Sequence, residues 1–274
     1  MKRLYLIYLL VGLIGLFLII VGLMTWQNRE NQTTINTTSI KTSKTETPPI
    51  TYPKATTYNV PILMYHYIRV APEGDTLGQG LSVTPENFAL QMAWLKTENY
   101  ASVKVSDLTD PDKKEISKIL AEGQKPIAIT FDDGYEDAFT AAYPVLKKDG
   151  FTGTFYIIRN FVGRSEYMNQ TQIDELSSAG MEIGSHSLDH PNLEKLSIDN
   201  QKKQIFDSKN SAATFCYPAG KYNNDTVALV KEAGYLTAVT TKSGIANQDS
   251  NLFELPRVRI KNGDAKYLKD QLIK

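Results

Sequence analysis

From Val60 onward, short apolar runs of strand-like composition alternate with segments of helical periodicity, and this alternation restricts the fold more than any other feature of the chain. "VPILMYHYI", "PIAITF", "GTFYII", "MEIGSH", "ATFCYP", "LTAVTT" and "ELPRVRI" read as strands, rich in β-branched and aromatic residues. Between them, "TPENFALQMAWLKTENY" reads as a helix with Thr84 as N-cap, Pro85 at its first position, and Phe88, Met92 and Leu95 on one face. "YEDAFTAAYPVLKKDG" reads as a helix ending at Gly150, with Pro144 as a kink point inside it. "TQIDELSSAG", "DNQKKQIFDSKN" and "NDTVALVKEAG" supply three more helices. Strands separated by helices of about three turns indicate a parallel sheet in an α/β fold. Seven or eight such units suit a deformed or incomplete (β/α) barrel, with an open doubly wound sheet as the alternative. No G-x-G-x-x-G follows an early strand, so a dinucleotide-binding fold has no support.

The region before Val60 has a different character. Lys2 and Arg3 precede "LYLIYLLVGLIGLFLIIVGLM", and no charge follows until Arg29. About 20 apolar residues span a bilayer core, so residues 4–24 are expected to form a transmembrane helix. A cleaved signal peptide would have a shorter apolar region and a small-x-small site. The two basic residues would stay in the cytoplasm, placing the rest of the chain outside. Residues 27–58, rich in Thr, Asn, Ser and Pro, lack periodicity and read as a flexible tether with a reach of roughly 30 Å. The expected organisation is therefore an anchor over 1–26, a linker over 27–58 and a folded domain over 59–274, facing the cell-wall side of the membrane. The chain carries 30 basic and 30 acidic residues, so nothing points to a nucleic-acid partner. One cysteine, Cys216, excludes an internal disulfide framework and a Cys-rich zinc site.

The chemistry concentrates in a few residues. "ITFDDGY" places Asp132 and Asp133 side by side at the end of an apolar strand, where two like charges gain nothing unless a cation joins them. Of three histidines, His186 and His190 lie four apart in "GSHSLDHPN". On a helix that spacing would put both on one face, but Gly184, Ser185 and Pro191 favour a tight turn leaving a strand. Two neutral imidazoles and one carboxylate make a three-ligand site with an open position for water, the arrangement of catalytic zinc. "DDG" would supply one ligand and leave a second carboxylate beside that water. In barrels the reacting groups collect at the carboxyl ends of strands, where "DDG", "SHSLDH", "YPAG" and the "YH" of "LMYHYI" would all face one mouth.

"TFDDG" at 130–134 together with "HSLDHP" at 186–191 resembles the first two motifs of the polysaccharide deacetylases, carbohydrate esterase family 4, which share the NodB-homology domain. "FCYPAGKYN" at 215–223 resembles the third, and the resemblance runs over roughly 60–260. It implies a deformed (β/α) barrel and a divalent metal, zinc ahead of Co2+, Ni2+ or Mn2+. The implied activity is hydrolysis of acetyl groups from sugar polymers. Residue by residue, it implies Asp132 as general base and Asp133, His186 and His190 as metal ligands. A backbone N–H at Tyr217 would hold the oxyanion, with Pro218 in the same groove wall. Two departures stand out. The arginine that opens the third motif in many members is replaced by Ala213 and Thr214, leaving Arg257 as the substitute support for Asp132 and Arg259 as the alternative. No histidine follows His190, so the usual C-terminal proton donor is absent. His66 fills that role by resemblance to a subgroup that includes poly-N-acetylglucosamine deacetylases.

The expected function is metal-dependent removal of N-acetyl groups from an N-acetylglucosamine-containing surface polysaccharide, either exopolysaccharide or peptidoglycan, by a monomer. The alternatives are a deacetylase of another acetylated glycan, such as xylan or chitin oligomers, and a catalytically silent glycan-binding module. Tyr135 and Tyr222 lead Tyr65, Tyr67 and Tyr167 as residues to stack on sugar rings. Trp94 and Cys216 are expected in the core, Ser187 as a stabiliser of the turn, and Lys202 and Lys203 on a solvated helix face.

Overall fold

Apolar runs that alternate with helices return the chain to the same edge of a sheet each time, and in the computed structural model, which describes residues 52–273, the sheet closes on itself. The strands in chain order are β1 (Asn59–Val60), β2 (Ile62–Tyr65), β3 (Tyr100–Ser102), β4 (Lys125–Phe131), β5 (Thr154–Ile157), β6 (Glu182–Ser185), β7 (Thr214–Cys216), β8 (Thr237–Ser243), β9 (Ala246–Asn247) and β10 (Leu255–Arg259). The helices are α1 (Thr76–Leu81), α2 (Pro85–Thr97), α3 (Lys114–Ala121), α4 (Tyr143–Asp149), α5 (Gln170–Ser178), α6 (Ile198–Phe206), α7 (Asn224–Glu232) and α8 (Ala265–Leu272). The apolar run over 4–24 and most of the tether lie outside the described residues. Among the described residues no helix is long and apolar enough to cross a membrane. The last part of the tether is packed: Ala55 N–H donates to Ser117 Oγ and Tyr58 is buried.

Seven parallel strands form the ring β2-β10-β8-β7-β6-β5-β4, and β4 pairs back onto β2. This is the expected barrel, and its deformation has a specific origin. The edge of β4 is shared: Lys125–Ile127 pairs with β3, and Ala128–Phe131 pairs with β2. A second irregularity lies between β10 and β8, where Leu255 is level with Val239 but Arg257 with Ser243. The short β3, α1, α3 and α8 were not expected from the periodicity.

Strand side chains alternate between the two faces. Outward residues Leu63, Tyr65, Ile129, Phe131 and Phe155 join Phe88 and Met92 of α2 in the larger core, with Phe131 stacked on Phe155 at 4.8 Å. Inward residues Ile62, Ala128, Tyr156, Cys216, Val239 and Leu255 fill the barrel. Gly184 on β6 is required by this filling, because a Cβ there would lie 2.4 Å from the Tyr156 ring. Local chemistry starts and stops the helices as expected. Thr84 caps α2 by accepting from the Asn87 N–H, and Gly150 ends α4 with φ of 82°. The irregularity at Pro144 is a π-helical turn, Ala138–Ala142, whose next N–H, from Tyr143, reaches back to the Ala138 carbonyl. A proline ring clashes with the carbonyl four residues back in a regular helix, and the wider turn relieves that.

Candidate active site

Thr130 and Asp132 continue the inward alternation of β4, so Asp132 projects into the top of the barrel. A continuing strand would turn Asp133 to the opposite face. Instead Asp133 adopts φ of 72° and Gly134 φ of 79°, and the chain folds back so that both carboxylates serve one mouth. Asp tolerates the left-handed region better than most residues. At Gly134 a Cβ would also sit 3.2 Å from Ile157 Cδ1.

His186 is the first residue beyond β6, and no helix follows it: Ser187 and His190 have φ of 64° and 57°. This is the tight turn expected from the flanking residues. Ser187 fixes it, its Oγ accepting from the His190 N–H at 3.0 Å. Gln204 Oε1 accepts from the Leu188 and Asp189 N–H groups at 3.1 and 3.0 Å. The Cys216 carbonyl, 2.7 Å from His186 Nδ1, can only accept, so Nδ1 carries a proton and Nε2 is the nitrogen available to ligate a metal. That Nε2 lies 3.3 Å from Asp133 Oδ1, and His190 Nε2 lies 3.5 Å from the same oxygen.

These three donors fit a metal ion. Ligand bonds of about 2.1 Å arranged tetrahedrally separate ligand atoms by about 3.4 Å, and the two spacings found here bracket that value. The tautomer of His186 is the one a metal needs. Asp133 and His186 are buried, whereas the His190 side chain is 31% exposed, so the open side of the trio faces the mouth. A second group with donor atoms close together, Asp132, His186 and Cys216, is a poor cation site because Arg257 occupies it.

Arg257, fully buried, forms a two-pronged pair with Asp132: Nη1 to Oδ1 and Nη2 to Oδ2, each 2.7 Å. Its remaining donors are also satisfied, Nε by the Thr240 carbonyl at 2.8 Å and Nη1 by Thr130 Oγ1 at 3.0 Å. Thr240 lies within the stretch of β8 that bulges against β10, where its carbonyl accepts from Arg257 Nε. Burial alone would raise the Asp132 carboxyl, but the charge and hydrogen bonds of Arg257 outweigh it and hold the group far below the usual carboxylate range. Asp133 is lowered too, burial being outweighed by His186. His66 faces the same space, its Nε2 3.9 Å from Asp132 Oδ2. Burial lowers its pKa despite the opposing pull of both aspartates.

The third motif contributes differently from expectation. Tyr217 is buried, with its hydroxyl donating to the Phe253 carbonyl and its N–H donating to the Val239 carbonyl at 3.3 Å. Pro218 is buried beside it. Tyr222 is half-buried, stacks on Tyr217 at 4.2 Å and donates to Glu254. Tyr135 stacks on Tyr67 at 3.7 Å and touches Tyr167 at 5.1 Å. Tyr65 is fully buried and donates to Gln91, so no sugar reaches it. Cys216 is buried as expected but is not merely apolar, since its Sγ lies 3.5 Å from Asp132 Oδ2 and 3.3 Å from Arg257 Nη2. The sequence reading missed Thr130, although its position two residues before Asp132 places it on the same face. It also missed Gln204, for which no local pattern exists.

Comparison with known proteins gives one consistent result. A family model described as polysaccharide deacetylase matches residues 120–238. YxkH of Bacillus subtilis (strain 168), assigned by name to the polysaccharide deacetylases, is 34% identical over 216 residues, covering 74% of this chain and 72% of its own. The poly-beta-1,6-N-acetyl-D-glucosamine N-deacetylase of Staphylococcus epidermidis is 26% identical over 206 residues, covering 66% of this chain and 68% of its own. Among solved structures, the Streptococcus pyogenes deacetylase PplD in complex with acetate superposes with a TM-score of 0.68 at 31% identity, covering 79% of this chain and 99% of that one.

Proposed function

Because the chain belongs to the polysaccharide deacetylase family, we propose that it hydrolyses N-acetyl groups of an N-acetylglucosamine-containing surface polysaccharide, releasing acetate. The observation that carries this reading is the division of labour between adjacent acids: Asp132 locked onto Arg257, and Asp133 grouped with His186 and His190. Asp133, His186 and His190 would hold a divalent cation, zinc by the donor set, which when bound polarises the acetyl carbonyl and acidifies a water.

Asp132 takes the proton of the attacking water. Its pairing with Arg257 makes it a weak base but keeps it ionised and aimed, so it depends on an acidified water rather than on its own basicity. An amine leaves an acyl carbon readily only when protonated, and His66 is placed to deliver that proton. Burial lowers the His66 pKa, so the proton it hands on is the one Asp132 has taken from the attacking water and passed to it, which returns Asp132 to its ionised form. The mouth beside Asp132 and His66 is where water and the scissile nitrogen would meet. The Tyr217 N–H becomes an oxyanion donor by giving up its long bond to Val239.

The similarity to a poly-N-acetylglucosamine deacetylase and the expected tether support a wall-side polymer, with the anchor over 4–24 holding the domain near the outer membrane surface. The test is acetate and free-amine release from poly-N-acetylglucosamine, peptidoglycan and chitin oligomers by the full-length protein with zinc. Release from at least one, abolished by a chelator, is expected. No release from any, with zinc bound at equimolar amount, would sink the reading and leave a silent glycan-binding module.

A further inference from the structure

Strand β10 brings two arginines to the inside of the barrel, not one. Val258 packs outward against the larger core and is level with Leu63. Arg257 and Arg259 therefore both face inward, one strand repeat apart. Their surroundings differ. Every donor group of Arg257 is used within the site. The guanidinium of Arg259 forms no ion pair and no hydrogen bond with any of the described residues. Arg259 is only half-exposed, so part of its hydration is lost without return, a cost that a ligand supplying the missing counter-charge offsets. Its strand is bonded to β2, whose last residue, Tyr65, immediately precedes His66, and its charge reaches His66, whose pKa it helps to lower.

Two other cations at the same end are committed. Arg69 pairs with Asp75 at 3.1 Å and lies over the Tyr67 ring at 3.6 Å. Lys242 pairs with Glu254 at 2.9 Å. Among the described residues, Arg259 is the guanidinium in the upper barrel that lacks a partner.

We propose that Arg259 is a specificity-determining residue that receives an oxyanion carried by the glycan, a carboxylate or a phosphate on the acetamido sugar or its neighbour. This rests on the deacetylase reading and deepens it. His66 delivers its proton to the leaving nitrogen, so a group held beside His66 lies on the sugar side of the scissile bond, not the acetyl side. The substituent next to the nitrogen-bearing ring carbon is the nearest candidate. A planar guanidinium suits both oxyanions through paired N–H donors.

The test uses full-length wild-type protein, Arg259→Gln and Arg259→Lys with three acetylated substrates: a neutral N-acetylglucosamine oligomer, one with lactyl ether carboxylates on alternate residues, and one with 6-phosphates. Wild type is expected to favour at least one anionic oligomer by about tenfold or more in kcat/KM, since hydrogen bonds to charged groups are worth that much. In Arg259→Gln the anionic-to-neutral ratio falls towards one, mainly through KM, and Arg259→Lys keeps part of it. The carboxylate and phosphate arms identify which oxyanion is read. A wild-type ratio of one with both anionic oligomers, or a ratio retained in Arg259→Gln, overturns the proposal. Affinities measured by calorimetry after chelation give a readout independent of turnover. An anionic preference in binding that Arg259→Gln removes upholds the proposal even if no substrate is deacetylated, an outcome that would count against the deacetylase reading alone.

Discussion

The barrel interior buries carboxylates at both ends, and Asp132 at one and Glu182 at the other are accommodated in opposite ways. At the mouth, Asp132 is paired through both oxygens with a buried arginine and is held far below the usual carboxylate range. At the floor, Glu182 opens β6 with no ion pair to any of the described residues. Its Oε2 accepts from Thr154 Oγ1 at 2.7 Å and from the Val105 and Ser106 N–H groups at 3.0 and 3.4 Å. Burial pushes this carboxyl above its ordinary value, against the lowering pull of the Ser106 and Thr154 hydrogen bonds. An ion pair in the interior repays its desolvation poorly, so a fold that needed only a polar plug could use the arrangement at the floor. The costlier one stands beside Asp133, His186 and His190, where the proposed reaction needs an acid that stays ionised and aimed. On that proposal, the contrast separates a carboxylate kept for chemistry from one kept for architecture.

The sharpest way to break that contrast is to neutralise the mouth. Asp132→Asn is expected to lower kcat about 10²- to 10⁴-fold, the range for loss of a general base. It also leaves Arg257 buried without a counter-charge, at a cost of about 3–5 kcal/mol. Replacing both members, Asp132→Asn with Arg257→Met, should restore much of the stability and none of the activity. Thermal melts and acetate release measured on the same preparations separate the two effects. Recovery of activity in the double variant would show that Asp132 is a structural acid after all. His66→Ala comes next, with kcat reduced about 100-fold and stability changed by less than about 1 kcal/mol, since His66 makes only a 3.9 Å approach to Asp132. Near wild-type turnover with metal bound would remove His66 from the mechanism.

The floor predicts the reverse pattern. Glu182→Ala strands the Ser106 N–H and the Thr154 hydroxyl and leaves the Val105 N–H only a 3.4 Å bond to Thr154 Oγ1. Each unsatisfied donor costs about 1–3 kcal/mol, so a clear fall in melting temperature is expected, at about 2–4 °C per kcal/mol. Turnover below the melting transition should be unchanged. A kcat loss comparable to that of Asp132→Asn would mean that the two ends are coupled and the contrast is false.

How much of this was legible in the sequence depends on whether a feature is local. The strand-helix alternation, the Thr84 cap and the Gly150 stop are decided by neighbours along the chain, and each lies where the pattern places it. The trio of Asp133, His186 and His190 was legible as a motif, and the turn at Ser187 follows from its flanking residues. The Glu182 plug was not, because its partners come from residues 105, 106 and 154 and nothing in "MEIGSH" distinguishes a buried glutamate from a solvated one. The partner of Asp132 was narrowed to two arginines. Only the irregular register of β8 against β10, which gives Arg257 the Thr240 carbonyl, shows why it is Arg257 and leaves Arg259 unpaired among the described residues. Likewise Tyr67, Tyr135 and Tyr167 occupy one another's ring contacts, while Tyr222 stacks on Tyr217 and Tyr65 on Phe131, tertiary facts with no trace in composition.

The smallest effect is the most specific test of the floor. A carboxyl whose folded-state pKa is raised above its unfolded value stabilises the fold fully below the unfolded value, and that contribution is lost as pH rises through the folded one. Glu182→Gln preserves shape and an accepting oxygen but does not titrate. The stability of wild type relative to Glu182→Gln should therefore be greatest near pH 4 and decline as the pH is raised towards 8. Asp132, held far below this window, stays ionised throughout and cancels in the difference, so the curve isolates the floor. A difference that is flat, or that grows with pH, would show that Glu182 is not destabilised as a carboxylate. The two ends of the barrel would then be solving the same electrostatic problem in the same way.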